Sequence, residues 1–112
     1  VTIGGMLVLA EEVLDKISSR KNKVGLIDLF SLTKFNKEKL LYVLRSYDKI
    51  IAINEGYREE GILSVILERL LLGTSVELHK FGFDRRYIFE PGPREMHYRN
   101  AGITIENILS VL

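Results

Sequence analysis

Cysteine is absent from this chain of 112 residues, and so are tryptophan and glutamine. Without cysteine there is no disulfide, thiolate zinc site, iron–sulfur cluster or cysteine nucleophile. The absence fits a cytoplasmic protein. Missing cysteine and glutamine also lean towards a thermophilic source. No stretch is long enough and free enough of charge to span a membrane. The apolar run Met6 to Ala10 is broken at once by Glu11 and Glu12, and it lacks the basic flank of a signal peptide. There is no G-x-x-x-x-G-K-[ST], no G-x-G-x-x-G and no G-x-S-x-G, so neither a phosphate loop nor a nucleophile elbow is predicted. His79 and His97 are the only histidines, and two such groups without a thiolate make no metal site. These absences predict no catalytic residues, no cofactor and no metal, and a protein that is not an enzyme.

What is present predicts a packed domain. The chain is 46% hydrophobic and 28% charged, enough for a real core in one domain over residues 1–112. It starts at Val1 and not at methionine, as a trimmed chain or a piece of a larger protein would. Its net charge of +1 hides an asymmetry. Residues 16–49 carry nine bases and three acids, whereas 1–15 and 50–77 are acidic.

Periodicity predicts a first helix from about Met6 to Ser18, with Leu7, Ala10, Val13, Leu14 and Ile17 on one side. "VGLI" (24–27) reads as a short strand or the lead into a helix. Asp28 can cap a short second helix, "LFSLTKF" at its longest. Asn36 caps a third helix, stapled by Phe35 and Leu40. "IIAI" (50–53) is a β-branched strand closed by "NEG". "GILSVILERLLLG" (61–73) is an apolar helix for the core or for a subunit interface. "VELHKFGF" (76–83) and "RYIFE" (86–90) suggest a β-hairpin turning at Asp84–Arg85, with Phe81, Phe83, Tyr87 and Phe89 as its half-buried side. "EPGPRE" is loop, and Thr104 caps a last helix in "TIENILSVL" that should pack on the core or on another subunit.

On a helical wheel, Leu40, Leu41, Val43, Leu44, Tyr47 and Ile51 form one arc. Glu38, Lys39, Tyr42, Arg45, Ser46 and Lys49 form the other. Cations, a hydroxyl and an aromatic are the groups that meet DNA phosphates and guanine edges. They are also the ordinary wet face of a core helix. "DLFSLTKFNKEKLLYVLRSYDKII" (28–51) resembles the helix-turn-helix core of the winged-helix family, and the likeness runs over about residues 7–54. The resemblance implies a small α+β winged-helix-like domain, mainly helical with a β-hairpin. It implies a homodimeric transcription regulator binding double-stranded DNA, with helix 36–49 as recognition helix. Its DNA contacts would be Lys34, Lys37, Lys39, Tyr42, Arg45 and Lys49, with Arg20, Lys21, Lys23, Arg85 and Arg86 holding phosphates. Helix 62–72 and the C-terminal segment would form the dimer contact. Where the family commonly has a glycine before the next strand, this chain has "DKII". Two other readings stand beside it. One is a protein–protein interaction module of the same fold in a larger assembly, without DNA binding. The other is an accessory enzyme subunit without its own active site.

Overall fold

The computed structural model describes residues 1–17 and 23–112. Met6, Ala10, Val13 and Ile17 recur at helical spacing and are all buried, and they hold helix α1 (Met6–Ile17) to the core. Helix α2 (Lys37–Leu44) begins where Asn36 accepts a 2.8 Å hydrogen bond from the Lys39 N–H, as the capping pattern predicts. Phe35 packs on the cluster that contains Leu40, in keeping with the staple. Strand β1 (Lys49–Tyr57) follows. Helix α3 (Ile62–Leu71) buries Leu63, Leu67 and Leu71, and Gly73 adopts a φ of +77° that a side chain would resist just past its end. Strand β2 (Glu77–Phe83), helix α4 (Arg94–Asn100) and helix α5 (Ile105–Ser110) complete the order. The Thr104 hydroxyl caps α5 by accepting from the Asn107 N–H, again as predicted.

The strands β1 and β2 pair in parallel, with Ile50 opposite Leu78 and Ile53 opposite Phe81. The first residues extend this sheet. Thr2 bridges in parallel to Ile53 on one side and Asp28 on the other. The Thr2 N–H donates to the Ile27 carbonyl, and the Leu29 N–H donates to the Thr2 carbonyl, each at 2.9 Å. Four parallel segments therefore lie in the order 27–29, 1–3, β1, β2.

Helices cover both faces. On one side Ile50 and Ala52 pack with Leu40 and Leu44 of α2 and with Leu63, Leu67 and Leu71 of α3. On the other, Ile51 and Ile53 pack with α1, Ile103 and Ile108. A strand alternates its side chains between faces, so an unbroken apolar run such as "IIAI" suits a strand covered on both sides.

The result is a small α+β domain, but it differs from the expected winged helix. The chain from 84 to 93 forms no strand, so there is no hairpin at Asp84–Arg85. The partner of β2 is β1, and parallel strands require a crossover, which α3 provides. Phe81 and Phe83 are half-buried against the α1 side, whereas Tyr87 and Phe89 are exposed. Residues 29–36 form no helix, because Asp28 and Leu29 are taken into the sheet instead. The third helix stops at Leu44, not at 49, since Ser46 and Tyr47 turn tightly and Lys49 already begins β1. Of the helix 62–72 and the C-terminal segment that were expected to form a dimer contact, Leu63, Leu67, Leu71 and Ile108 lie in the chain's own core, whereas Ile62 and Leu72 are exposed. Part of "EPGPRE" opens α4, with Pro93 at its N-cap.

Leu67 makes a direct test of this packing, because it is fully buried in α3. Leu67→Ala should lower the free energy of unfolding by about 2–5 kcal/mol, seen as a lower urea midpoint with an unchanged slope.

Candidate functional site

In open parallel sheets, ligands and partners meet the crevice outside the carboxyl ends of the strands, where the strand order reverses. Here that point lies between the 1–3 segment and β1, whose ends carry Gly4–Gly5 and Glu55. The two ends are close, and a Cβ at Gly5 would sit 3.2 Å from Glu55 Oε1.

Asn54 shapes an irregularity in β1 at this place. It is 2% exposed, and both ends of its amide are used. Its Nδ2 donates to the Phe81 carbonyl at 3.2 Å, and its Oδ1 accepts from the Gly56 N–H at 2.7 Å. The register of β1 and β2 slips here, between Ile53 and Tyr57. Gly82 admits the close approach, since a Cβ there would lie 2.8 Å from the Gly56 carbonyl and 2.9 Å from Arg58 Cα.

Helix α4 then leans over the end of β1. The Tyr98 phenol donates to Glu55 Oε1, and Arg94 lies 3.3 Å from the same oxygen. The Tyr98 and Phe83 rings meet at 6.0 Å. Burial, then the hydrogen bond and charge of Glu55, push the Tyr98 pKa up to about 12, against a weaker opposing pull from Arg94. An open cleft of about 470 Å³ lies beside this group, lined by Glu55, Phe83, Ile88, Glu90, His97 and Tyr98 among others.

More ion pairs tie the neighbouring loops together. Arg58 pairs with Asp84, and Arg85 lies 3.3 Å from Glu60. Lys80 is held between Glu59 and Glu68. Partial burial works against its charge, but the two carboxylates outweigh that and raise its pKa. His79 Nε2 is 2.7 Å from Glu77 Oε1 without the alignment of a hydrogen bond.

The Glu55 carboxylate is engaged by a phenol and a guanidinium. Among the described residues, no three His, Cys, Asp or Glu side chains gather to hold a metal ion. No described helix is long and apolar enough to cross a membrane.

The described cations expected to meet DNA lie on several elements of the fold. Lys37, Lys39 and Tyr42 are exposed on α2, with Lys34 just before it and Arg45 at its C-cap. Lys49 has left that helix, and its ammonium donates to the Val111 carbonyl. Lys23 and Arg86 are exposed, Arg85 is paired with Glu60, and Arg20 and Lys21 lie outside the described residues. The cleft residues Arg94 and Tyr98 were not anticipated, because they ride on the unexpected helix α4. The available signal for Glu55 was "NEG" at the end of a β-branched strand.

Comparison with known proteins identifies what this fold belongs with. The family described as transketolase, C-terminal domain, matches residues 1–108. A 1-deoxy-D-xylulose-5-phosphate synthase from Methylacidiphilum infernorum (isolate V4) is 28% identical over 109 residues. That match covers 96% of this chain and 17% of the synthase. No solved structure matches. These findings overturn the winged-helix resemblance and, with it, the reading as a DNA-binding regulator of transcription with duplex DNA as its partner. They also overturn the expectation of a non-enzyme, since the family and the relative are those of enzymes.

The Tyr98–Glu55 contact can be read by ultraviolet titration. One tyrosine should titrate near pH 12, above the ordinary value near 10. A phenol held protonated in the fold adds stability that is complete below about pH 10 and is lost as pH rises towards 12. Glu55→Gln should bring the Tyr98 titration down, because it removes the carboxylate and leaves burial opposed by Arg94. An unchanged titration would contradict the contact.

Proposed function

This chain belongs to the transketolase C-terminal domain family, and from that premise we propose that it serves a larger enzyme as a domain without an active site of its own. The family match over residues 1–108 carries the reading. The cleft chemistry supports it, because the Glu55 carboxylate at the strand ends is bound to Arg94 and Tyr98. Of the readings open from the sequence, the interaction module in a larger assembly and the accessory enzyme subunit both fit this role. Residues 1–112 would act as one domain.

The relative's name suggests the reaction class. The synthase is named for a phosphorylated deoxyketose, and we extend that class of product to the enzyme this chain serves. The chain spans only 17% of that synthase, so the catalytic groups would lie in the rest of the enzyme. The contribution of a domain like this is position. It would hold other parts in register, and a small misplacement of reacting groups costs rate steeply.

The test is removal of the domain. The enzyme that carries this chain should lose activity by about tenfold or more when residues 1–112 are deleted. The chain alone should turn over no substrate. Full activity without the chain would overturn the reading, and so would activity in the chain by itself.

A further inference from the structure

A parallel sheet places all its strand-to-helix loops at one end. In this chain those loops are 4–5, 30–36, 58–61 and 84–93, after the segments 1–3, 27–29, β1 and β2. Among the described residues, six of the ten exposed large apolar side chains lie at that end. Phe30, Tyr57, Ile62, Tyr87, Ile88 and Phe89 lie on these loops or on the residue next to them, with Phe30 at 89% and Phe89 at 86% exposed, whereas Val8 and Tyr42 lie on helices α1 and α2 and Val24 before the segment 27–29. Tyr87 and Phe89 stand as a tilted pair 5.9 Å apart. By contrast Leu72, though 85% exposed, lies at the far end of α3. Aromatic and branched apolar groups in water at one end of a small domain mark a surface that another body covers.

The charges at this end say what kind of body. Arg58 with Asp84, Arg85 with Glu60 and Arg94 with Glu55 neutralise one another across the loops. Each such surface pair contributes little stability. Their effect is to leave this end without a strong field of one sign. A nucleic acid or an anionic lipid surface would need a surplus of cations, whereas here exposed Lys34 and Arg86 stand among Glu59, Glu60, Asp84 and Glu90. A mainly apolar protein surface would need no such surplus. The matched part is a small fraction of the relative, 17% of its length, so most of that enzyme lies outside the match and could supply such a surface.

We propose that the carboxyl-end pole of the sheet, centred on Tyr87 and Phe89 and joined by Phe30, Tyr57 and Ile62, is the surface on which the remaining body of the enzyme docks. This rests on the reading of the chain as an enzyme domain. Arg94 and Tyr98 link the pole to Glu55, so docking at 84–93 bears on the end of β1.

The lack of cysteine in this chain gives a clean test. Phe89→Cys and, as control, Leu72→Cys are introduced singly into the intact enzyme, and maleimide labelling is followed by peptide mass spectrometry. Both positions are exposed in the chain itself. In the assembled enzyme, Phe89→Cys should label about tenfold slower or more than Leu72→Cys, because covered sites open only rarely. Equal, fast labelling would overturn the proposal. A benzophenone photocrosslinker at position 89 then identifies the cover. Crosslinks into the rest of the enzyme support the proposal, whereas crosslinks to residues 1–112 of a second copy overturn it. If deletion of the chain abolishes activity while Phe89→Cys labels fast, only the docking surface fails. If deletion leaves activity intact, the reading as an enzyme domain fails.

Discussion

Residues 49–53 lie in parallel beside 77–81, and two parallel strands cannot be closed by a tight turn. The chain must cross from one end of the sheet to the other, and α3 makes that crossing. Once it does, α3 is bound to one face of β1, and Leu63, Leu67 and Leu71 become core. The other face needs its own cover, which α1 and α5 provide. Thr2 then adds the first residues to the free edge of β1, with residues 27–29 beyond them. Each later feature follows from that one pairing.

The pairing also divides the molecule into two unlike ends. At the amino end of the strands the chain turns at 45–48 and 72–76. At the carboxyl end the buried amide of Asn54, the Glu55–Arg94–Tyr98 group and the exposed aromatics Phe30, Tyr57, Tyr87 and Phe89 collect. A domain with one polarised end suits work done against a larger body.

Much of the fold was legible in the residues. The helices at 6–17, 37–44, 62–71 and 105–110 carry clear apolar periodicity or caps, with Asn36 and Thr104 each making the cap bond its type suggests. What was not legible was pairing. "VELHKFGF" reads the same whether its partner lies seven residues on or across a helix, since alternation reports faces and not neighbours. The aromatic run "RYIFE" reinforced the wrong partner, because exposed docking residues and half-buried strand residues have the same composition. The segments at 1–3 and 27–29 were too short to announce themselves as a sheet. The basic face of α2 pointed to DNA for a related reason. Surface lysines are the same residues whether they meet phosphate or water. The site stayed hidden because Glu55, Arg94 and Tyr98 converge only after the crossover and α4 are in place.

The most direct measurement is a cryo-electron microscopy map of the intact enzyme that carries this chain. The map should show four parallel segments in the order 27–29, 1–3, β1, β2, with loops 30–36, 58–61 and 84–93 turned into the enzyme's remaining body. A map in which those loops face open solvent, or in which residues 76–90 form an antiparallel hairpin, would contradict this arrangement.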